Sequence, residues 1–407
     1  MMQIPRYHPA LFVNRSGETQ NVVHVVRRLL RGDSVRNRTI TFVGEYGLGK
    51  SWLLTHIHDH LLDKFSEQEK KRIDLFLIDL NQYKHDNPVT AVMAILRHAG
   101  KELFQEETPG ITPAEMSRAL VHRLREWLGK GRVLVVFVDG IFDASWDFLN
   151  ELEEYVLGPL AIEPRVLLVL DSRGKGYPWK TPELRVQVES KELQGFDESD
   201  TEKQVQRIWE ETMNRPPPAS LNLKHLHQLT RGYPLANSLF AVAVAEAGRA
   251  DPEEALDTVI RELLESMIDD QSRYQEFREI LEALCVLRAF DEDRIPQLLA
   301  AYYRARGDEE RAREREQWDY KQTRRVRRDL VRQALASWDE KKGGFVISSY
   351  LRHLLETFLK QEHPRVWRAL HQRALELYEE WARKYPKTAS RWKKEAKYHA
   401  EKLQEGA

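Results

Sequence analysis

The sequence predicts an α/β domain with a parallel sheet and flanking helices. A helical region follows that contains the element order of a winged helix and ends in a short α-helical tail. Three observations predict this. Short β-rich runs alternate with helical patterns up to about residue 190, the signature of βα units. A glycine loop, Gly44-Glu45-Tyr46-Gly47-Leu48-Gly49-Lys50-Ser51, joins the first apolar run to a helical pattern. After Gln194 the composition turns helical and stays so, apart from one hairpin pattern.

The strand candidates are Thr39–Val43, Ile73–Asp79, Arg132–Val138, Arg165–Leu170 and Leu184–Val188. The middle ones are nearly continuous apolar runs, as expected of strands covered on both faces. Helical patterns lie between them at His24–Arg31, Ser51–Phe65, Val89–Phe104, Pro113–Leu128 and Asp147–Leu157. Asp197-Glu198-Ser199-Asp200 opens the next helix with capping and acidic residues. Pro216-Pro217-Pro218 interrupts the chain, and helices resume to about Gly248. Tyr274–Phe290, Ile295–Tyr303 and Tyr320–Ala336 precede a hairpin over Ser337–Ile347, with its turn at Lys341-Lys342-Gly343-Gly344. That order is a winged helix, and residues 364–407 read as two amphipathic helices.

A chain of 407 residues exceeds one ordinary core. Apolar content of 42% and charged content of 31% mark a folded protein. The formal net charge of −1 gives no global field toward nucleic acid or anionic lipid. A single cysteine, Cys285, excludes a disulfide framework and cysteine-based metal sites; it reads as a buried, reduced thiol. No apolar run is long enough to span a bilayer, and Met1–Arg6 lacks a signal-peptide core. The expectation is a cytoplasmic protein with no membrane partner.

The glycine loop is G-x-x-x-x-G-K-[ST] in the strand-before, helix-after setting that its mechanism needs. Gly44, Gly47 and Gly49 let backbone N–H groups of Glu45, Leu48 and their neighbours curl around a phosphate at a helix N-terminus. Lys50 supplies a cation to the β- and γ-phosphates, and Ser51 a hydroxyl to Mg²⁺. Val133–Asp139 is an apolar strand ending in an acid, so Asp139 is the expected water-mediated Mg²⁺ ligand. Asp143 either positions the attacking water or caps the helix containing Trp146 and Phe148. The strand Val166–Leu170 runs into Asp171-Ser172-Arg173. Arg173 is there a candidate γ-phosphate sensor, or else an arginine paired with a surface acid. The expected cofactors are ATP or ADP with Mg²⁺.

With these motifs the chain resembles STAND-type P-loop ATPases, the group that holds NB-ARC and NACHT proteins. The resemblance runs over roughly residues 8–360. Phe12-Val13-Asn14-Arg15-Ser16-Gly17-Glu18 is similar to the segment before the phosphate loop, which implies that Phe12, Val13, Arg15 and Trp52 line the nucleotide site. Asp139-Gly140-Ile141-Phe142-Asp143 resembles the acidic Mg²⁺ segment, with Phe142 where an intermediate acid is usual. Val169–Arg173 resembles the sensor strand, and Leu193–Asp200 the entry into a helical lid. Thr230-Arg231-Gly232-Tyr233-Pro234-Leu235 is similar to the lid motif, implying that Pro234 covers the base. Ser348 stands where NB-ARC proteins carry a histidine, so an ADP-locked state held by that contact does not transfer. The resemblance implies four parts: a P-loop nucleotide-binding domain (1–194), a helical lid domain (195–250), a winged-helix domain (251–362) and a helical tail (363–407), the last as the start of a TPR-like array. It further implies a slowly hydrolysing signal-transduction switch that self-associates with ATP, with effector and sensor parts on separate chains and a setting in antiviral defence.

The competing reading is an AAA+ origin-recognition-like ATPase whose winged helix grips DNA. Arg324, Arg325, Arg327 and Arg328 fall where a recognition helix lies. Against it, Arg311–Arg328 is interleaved with Asp308, Glu309, Glu310, Glu314, Glu316 and Asp319, which reads as a solvated, self-paired helix. DNA contact is therefore the less favoured partner at this level. A third reading is a nearly inactive scaffold holding structural ATP. The tail aromatics Trp367, Tyr378, Trp381, Tyr385, Trp392 and Tyr398 read first as packing between two helices.

Overall fold

The computed structural model describes residues 7–173, 177–218, 220–247 and 252–405. Contacts divide the chain into two compact units, one spanning Pro5–Gly195 and the other chiefly Phe196–Ala407.

The first unit is a five-stranded parallel sheet of β1 (Thr39–Val43), β2 (Ile73–Asp79), β3 (Val133–Asp139), β4 (Val166–Ser172) and β5 (Val188–Glu192), in the order β2-β3-β4-β1-β5. Its longer helices are α1 (Ser16–Arg31), α2 (Lys50–His60), α3 (Pro88–Phe104), α4 (Pro113–Gly129) and α5 (Trp146–Leu152). Helices α3 and α4 begin with Asn87 and Thr112 accepting from backbone N–H groups of the first turn, each followed by proline.

The sheet has two dry faces. Phe76 and Ile78 on β2, Leu134, Val136 and Val138 on β3, and Leu168 and Leu170 on β4 pack with α3, α4 and α5. Each such buried side chain contributes about 1.5–3 kcal/mol. The alternate residues face α1 and α2. This explains the unbroken apolar runs of β3 and β4.

The last predicted strand is displaced. Pro182–Val186 forms a short helix, and β5 follows at Val188–Glu192. Val-Glu-Ser-Lys-Glu pairs with β1 alone at the sheet edge, where polar residues are tolerated.

The second unit opens with α6 (Glu198–Met213), α7 (Leu223–Thr230), α8 (Pro234–Ala247) and α9 (Pro252–Met267). Asp197 caps α6 by accepting from the N–H of Asp200. The expected lid-to-winged-helix boundary, near 250, lies outside the described residues. Between α7 and α8 the chain turns through Gly232 at φ +71°. The Phe196 N–H donates to the Gly232 carbonyl at 2.7 Å, and a Cβ on Gly232 would sit 1.8 Å from the Phe196 oxygen. Buried Thr230, Asn237 and Gln204 hydrogen-bond in series beneath this turn.

The winged helix follows as α10 (Tyr274–Leu284), α11 (Arg294–Ala305), α12 (Glu309–Glu316), α13 (Tyr320–Arg332) and the hairpin of β6 (Ala336–Asp339) and β7 (Gly344–Ile347). Phe290 extends the hairpin by exchanging backbone hydrogen bonds with Phe345. The charged stretch read as one helix is thus two. Asp319 and Gln322 form a reciprocal cap that restarts the helix at Tyr320. Three further helices, α14 (Ser349–Glu362), α15 (Pro364–Lys384) and α16 (Ala389–Glu405), complete the chain. Trp367 and Tyr378 are buried, and Tyr378, Trp381 and Trp392 pack together, so these tail aromatics form a core. Cys285 is buried. Among the described residues no helix is long and apolar enough to cross a membrane.

Gly232→Ala places a side chain on a left-handed residue and into a backbone contact. It should destabilise the second unit by about 3 kcal/mol. Gly17→Ala meets open space and should change stability by less than about 1 kcal/mol. Urea unfolding midpoints of the two variants check the contrast.

Candidate phosphate and metal site

The loop between β1 and α2 turns through Gly47 and Gly49, at φ +76° and +82°, where only glycine sits without strain. The chain thereby reaches the N-terminus of α2 with successive N–H groups available to an anion. Lys50 is 7% exposed. Its Nζ donates to the carbonyls of Gly44 and Glu45 at 3.0 and 2.9 Å. Burial lowers its pKa to about 8, with Asp171 and Asp139 opposing the shift. A desolvated cation whose hydrogen bonds go to neutral carbonyls is poised to exchange them for a phosphate.

Ser51, the next residue of α2, donates from Oγ to Asp139 Oδ1 at 2.9 Å. The sheet order explains the meeting. β4 lies between β1 and β3, so the helix leaving β1 crosses β4 to reach the end of β3. Asp139 directly follows Val138, whose side chain faces the α3–α5 core, so its own carboxylate points to the α2 side. The same parity holds for Asp79 after Ile78 on β2 and Asp171 after Leu170 on β4. Asp79 and Asp139 are register partners. Three carboxylates therefore stand in a row at the ends of β2, β3 and β4, on the face occupied by α2.

Burial, reinforced by Asp171, pushes the Asp139 carboxyl well up, with Asp79 adding to the effect and the Ser51 hydrogen bond opposing it. Burial also raises Asp171, which accepts from the Ile141 N–H at 3.0 Å. Adjacent acids shielded from water, Asp171 fully and Asp139 in part, with raised pKa values are the environment a divalent cation relieves. A Ser hydroxyl beside a carboxylate is an oxygen donor set suited to Mg²⁺. On this geometry Ser51 and Asp139 fit the metal, and Lys50 with the Gly44–Gly49 backbone fits the phosphates.

Arg173, one residue beyond β4, lies with its guanidinium 4.8 Å from the Tyr46 ring of the loop and 4.4 Å from the Phe142 ring. Its Nη2 is 3.3 Å from Asp143 Oδ1. Asp143 is thus an arginine partner. It is not the cap of α5, because Ser145 accepts from the Phe148 N–H.

Arg15 adopts φ +67° and donates to the Leu48 carbonyl at 3.2 Å and to Gln194 at 2.8 Å. It ties the N-terminal segment to both the loop and the end of β5. Val13 is buried. Phe12 stacks on His56 at 3.7 Å, and Tyr7 packs edge-on against Trp52 and shares a 3.2 Å hydrogen bond with His56 Nδ1. Phe12 therefore has one ring face covered by His56. Pro234 lies in the second unit, where it heads α8 and accepts from Gln204.

Lys50, Ser51, Asp139 and Arg173 are brought together from three strand ends. Asp79 and Asp171 were not singled out from the sequence. The signal for Asp79 was an apolar strand ending in an acid, the same pattern that marked Asp139.

A parallel sheet in which the phosphate-loop strand and the metal-acid strand flank a third defines an α/β phosphate-loop fold. No protein-family model matches the sequence, and no curated protein matches it. Among solved structures, the chain is similar to the Walker-type ATPase PABY2304 of Pyrococcus abyssi, with 13% identity over 86% of this chain and 97% of that one and a TM-score of 0.52. It also matches the Aeropyrum pernix ORC2 protein in ADPNP–ADP complexes (14% identity, 89% and 97% covered, TM-score 0.47). The Aeropyrum pernix ORC1 protein in complex with DNA matches at 15% identity, with 90% and 96% covered and a TM-score of 0.46. At these identities the likeness is one of fold: an ATPase-type α/β core followed by a helical region with a winged helix.

The site predicts a two-sided pH dependence for Mg²⁺–nucleotide binding. Affinity should rise with pH as the raised Asp139 carboxyl ionises, then fall above about pH 8 as Lys50 loses its proton. Asp139→Asn should remove the acidic limb and weaken the Mg²⁺-dependent part of binding by about 10–100-fold. Fluorescent-nucleotide titrations from pH 5.5 to 9 measure both; a flat profile contradicts the assignment.

Proposed function

We propose that this chain is a Mg²⁺-dependent ATPase whose winged-helix block engages duplex DNA, in the manner of AAA+ origin-recognition-type ATPases. The observation that carries the DNA part is α13. Lys321, Arg324, Arg325, Arg328 and Arg332 are exposed. At 100° per residue they fall within about 100° of arc. Thr323, Val326 and Leu330, on the opposite side, are buried. Among the described residues only Arg325 of these five has an ion-pair partner, Asp329 at 3.9 Å. The interleaved acids that argued against DNA belong largely to α12, where Arg313 meets Glu309 and Arg315 meets Glu314. The helix preceding the wing thus presents an unneutralised basic stripe, suited to phosphates flanking a groove.

In the ATPase unit, Lys50 and the loop amides bind the triphosphate, and Ser51 and Asp139 hold Mg²⁺. The ion would supply charge neutralisation at the β- and γ-phosphate oxygens. Arg173 responds to the γ-phosphate: Asp143, its ion-pair partner among the described residues, is half-exposed and replaceable by a stronger anion. The residue after Asp139 is Gly140, so no second acid follows on the same strand. Asp79 takes that role, orienting water from the neighbouring strand end. Its carboxylate accepts from the Asn81 backbone N–H and from the Asn81 and Gln82 side chains, which fixes its direction. Hydrolysis is accordingly slow.

A second reading draws on Arg15. Its contacts to Leu48 and Gln194 make the segment before the loop part of the nucleotide site, as in STAND-type switches that self-associate with ATP. Sedimentation with ATP and with ADP tests it; ATP-dependent assembly without DNA affinity favours the switch.

Asp79→Asn should lower kcat by about 10²–10³-fold with little change in nucleotide affinity, whereas Asp143→Asn should stay within a few-fold. Single-turnover ATPase assays check the pair, and equal losses argue against Asp79. For DNA, fluorescence anisotropy with a short duplex should give a log–log salt slope near −4. Arg324→Ala/Arg328→Ala should reduce it by about 2. A slope near zero rejects the DNA reading.

A further inference from the structure

The wing hairpin and the first turns of α16 enclose a cleft of about 470 Å³ that the ATPase reading does not use. Its size is that of sites for small organic ligands. The residues lining it include Arg288, Arg294, Lys341, Lys342, Arg391 and Lys394 against Glu340 and Glu395. Glu395 is already engaged by Arg288 through two hydrogen bonds of 2.9 and 2.8 Å. Lys341 and Lys394 are exposed and have no ion-pair partner among the described residues. The cleft thus has a positive excess, although the chain as a whole is nearly neutral.

Arg294 is the unusual member. It is only 2% exposed, yet its Nε and Nη2 have no hydrogen-bond acceptor. Nη1 donates to the Ala289 carbonyl and lies 3.5 Å from Asp291, whose carboxyl burial pushes up. The guanidinium carbon lies 4.5–5.2 Å from the rings of Tyr378, Trp381 and Trp392. Ring faces attract the charge, but N–H groups of a planar guanidinium point outward in its own plane and need an acceptor there. Two buried donors left without one are costly. Arg294 also lines the cleft, so an oxyanion entering it would lie beside this guanidinium and offer an acceptor that a small side-chain shift brings into reach.

We propose that this cleft binds a phosphate ester of mononucleotide size. The phosphoryl oxygens are received by Arg294, Lys341 and Lys394, and the rest of the ligand lies against Tyr378 and Trp392. Because the wing turn contributes Lys341 and α16 contributes Lys394, the ligand clasps the tail to the winged helix. Arg391 already makes part of that clasp, donating to the carbonyls of Lys342 and Gly343. The inference does not depend on the phosphate loop.

The test uses the full chain carrying Lys50→Ala, which removes the lysine of the phosphate loop, with tryptophan fluorescence as the readout. AMP should change the emission saturably, and Lys341→Ala/Lys394→Ala should weaken its binding at least tenfold. Both lysines are exposed, so this variant should fold; an unchanged thermal midpoint checks it. Inorganic pyrophosphate forms a second arm. Weaker binding than AMP supports an ester with an organic moiety, and equal binding overturns the contact with Tyr378 and Trp392. No saturable change with either probe overturns the proposal, as does a change that survives loss of both lysines. If duplex DNA alters the emission where AMP does not, the lysines belong to a DNA face and the proposal fails.

Discussion

The hydrogen bond from Ser51 to Asp139 is the joint on which the first unit depends. It links the helix that leaves β1 to the end of β3, with β4 lying between those strands. With β4 between β1 and β3 and both carboxyl ends on the same edge, α2 crosses β4 and brings that serine to that acid. Two glycines at left-handed angles set where α2 begins, and the alternation of side chains along β3 decides which face Asp139 occupies. Loop, helix start and strand parity converge on one oxygen-rich point beside a buried lysine.

Around it, the charges remain poorly compensated within the chain. Lys50 is desolvated and hydrogen-bonded to carbonyls, while half-buried Asp139 stands beside buried Asp171. Each arrangement costs stability by itself. A polyphosphate with a divalent cation answers both, one charge sign for each. Arg173 sits at the rim between two aromatic rings, with a half-exposed carboxylate as its ion-pair partner among the described residues. The second unit repeats the theme twice, in the stripe of α13, where among the described residues Arg325 alone has an ion pair, and in the buried Arg294, two of whose nitrogens have no acceptor. Cations without adequate anions recur where the fold meets its surroundings.

Much of this was legible in the sequence because the physics leaves few options. A phosphate cradle needs glycine, lysine and a hydroxyl at fixed spacing, so Gly44–Ser51 identified itself. Strands covered on both faces are apolar almost throughout, so β3 and β4 stood out, and β2 did by its Leu75–Ile78 run. The edge strand β5 escaped because a strand paired on one side tolerates Glu189, Ser190 and Lys191. Asp79 escaped because one acid at a strand end means little until register places it beside Asp139. Asp143 was ambiguous because nothing local says that Arg173, thirty residues on, reaches it. The break between α12 and α13 was written in Asp319 and Gln322 as a reciprocal cap, but the dense charge on both sides masked it. The cluster of Arg324, Arg325, Arg327 and Arg328 was visible in the sequence, but taking Arg311–Arg328 as one self-paired helix credited it with acids that belong largely to α12.

The central claim is that Ser51 and Asp139 share a divalent cation while Lys50 receives the phosphates. A crystal structure with ATP and Mn²⁺, phased to locate manganese by its anomalous signal, tests it most directly. The account predicts a peak within about 2.5 Å of Ser51 Oγ, with Asp139 one water away and Lys50 turned from the Gly44 and Glu45 carbonyls to the phosphates. Manganese bound elsewhere, or a nucleotide seated while Lys50 keeps its carbonyl partners, would contradict it.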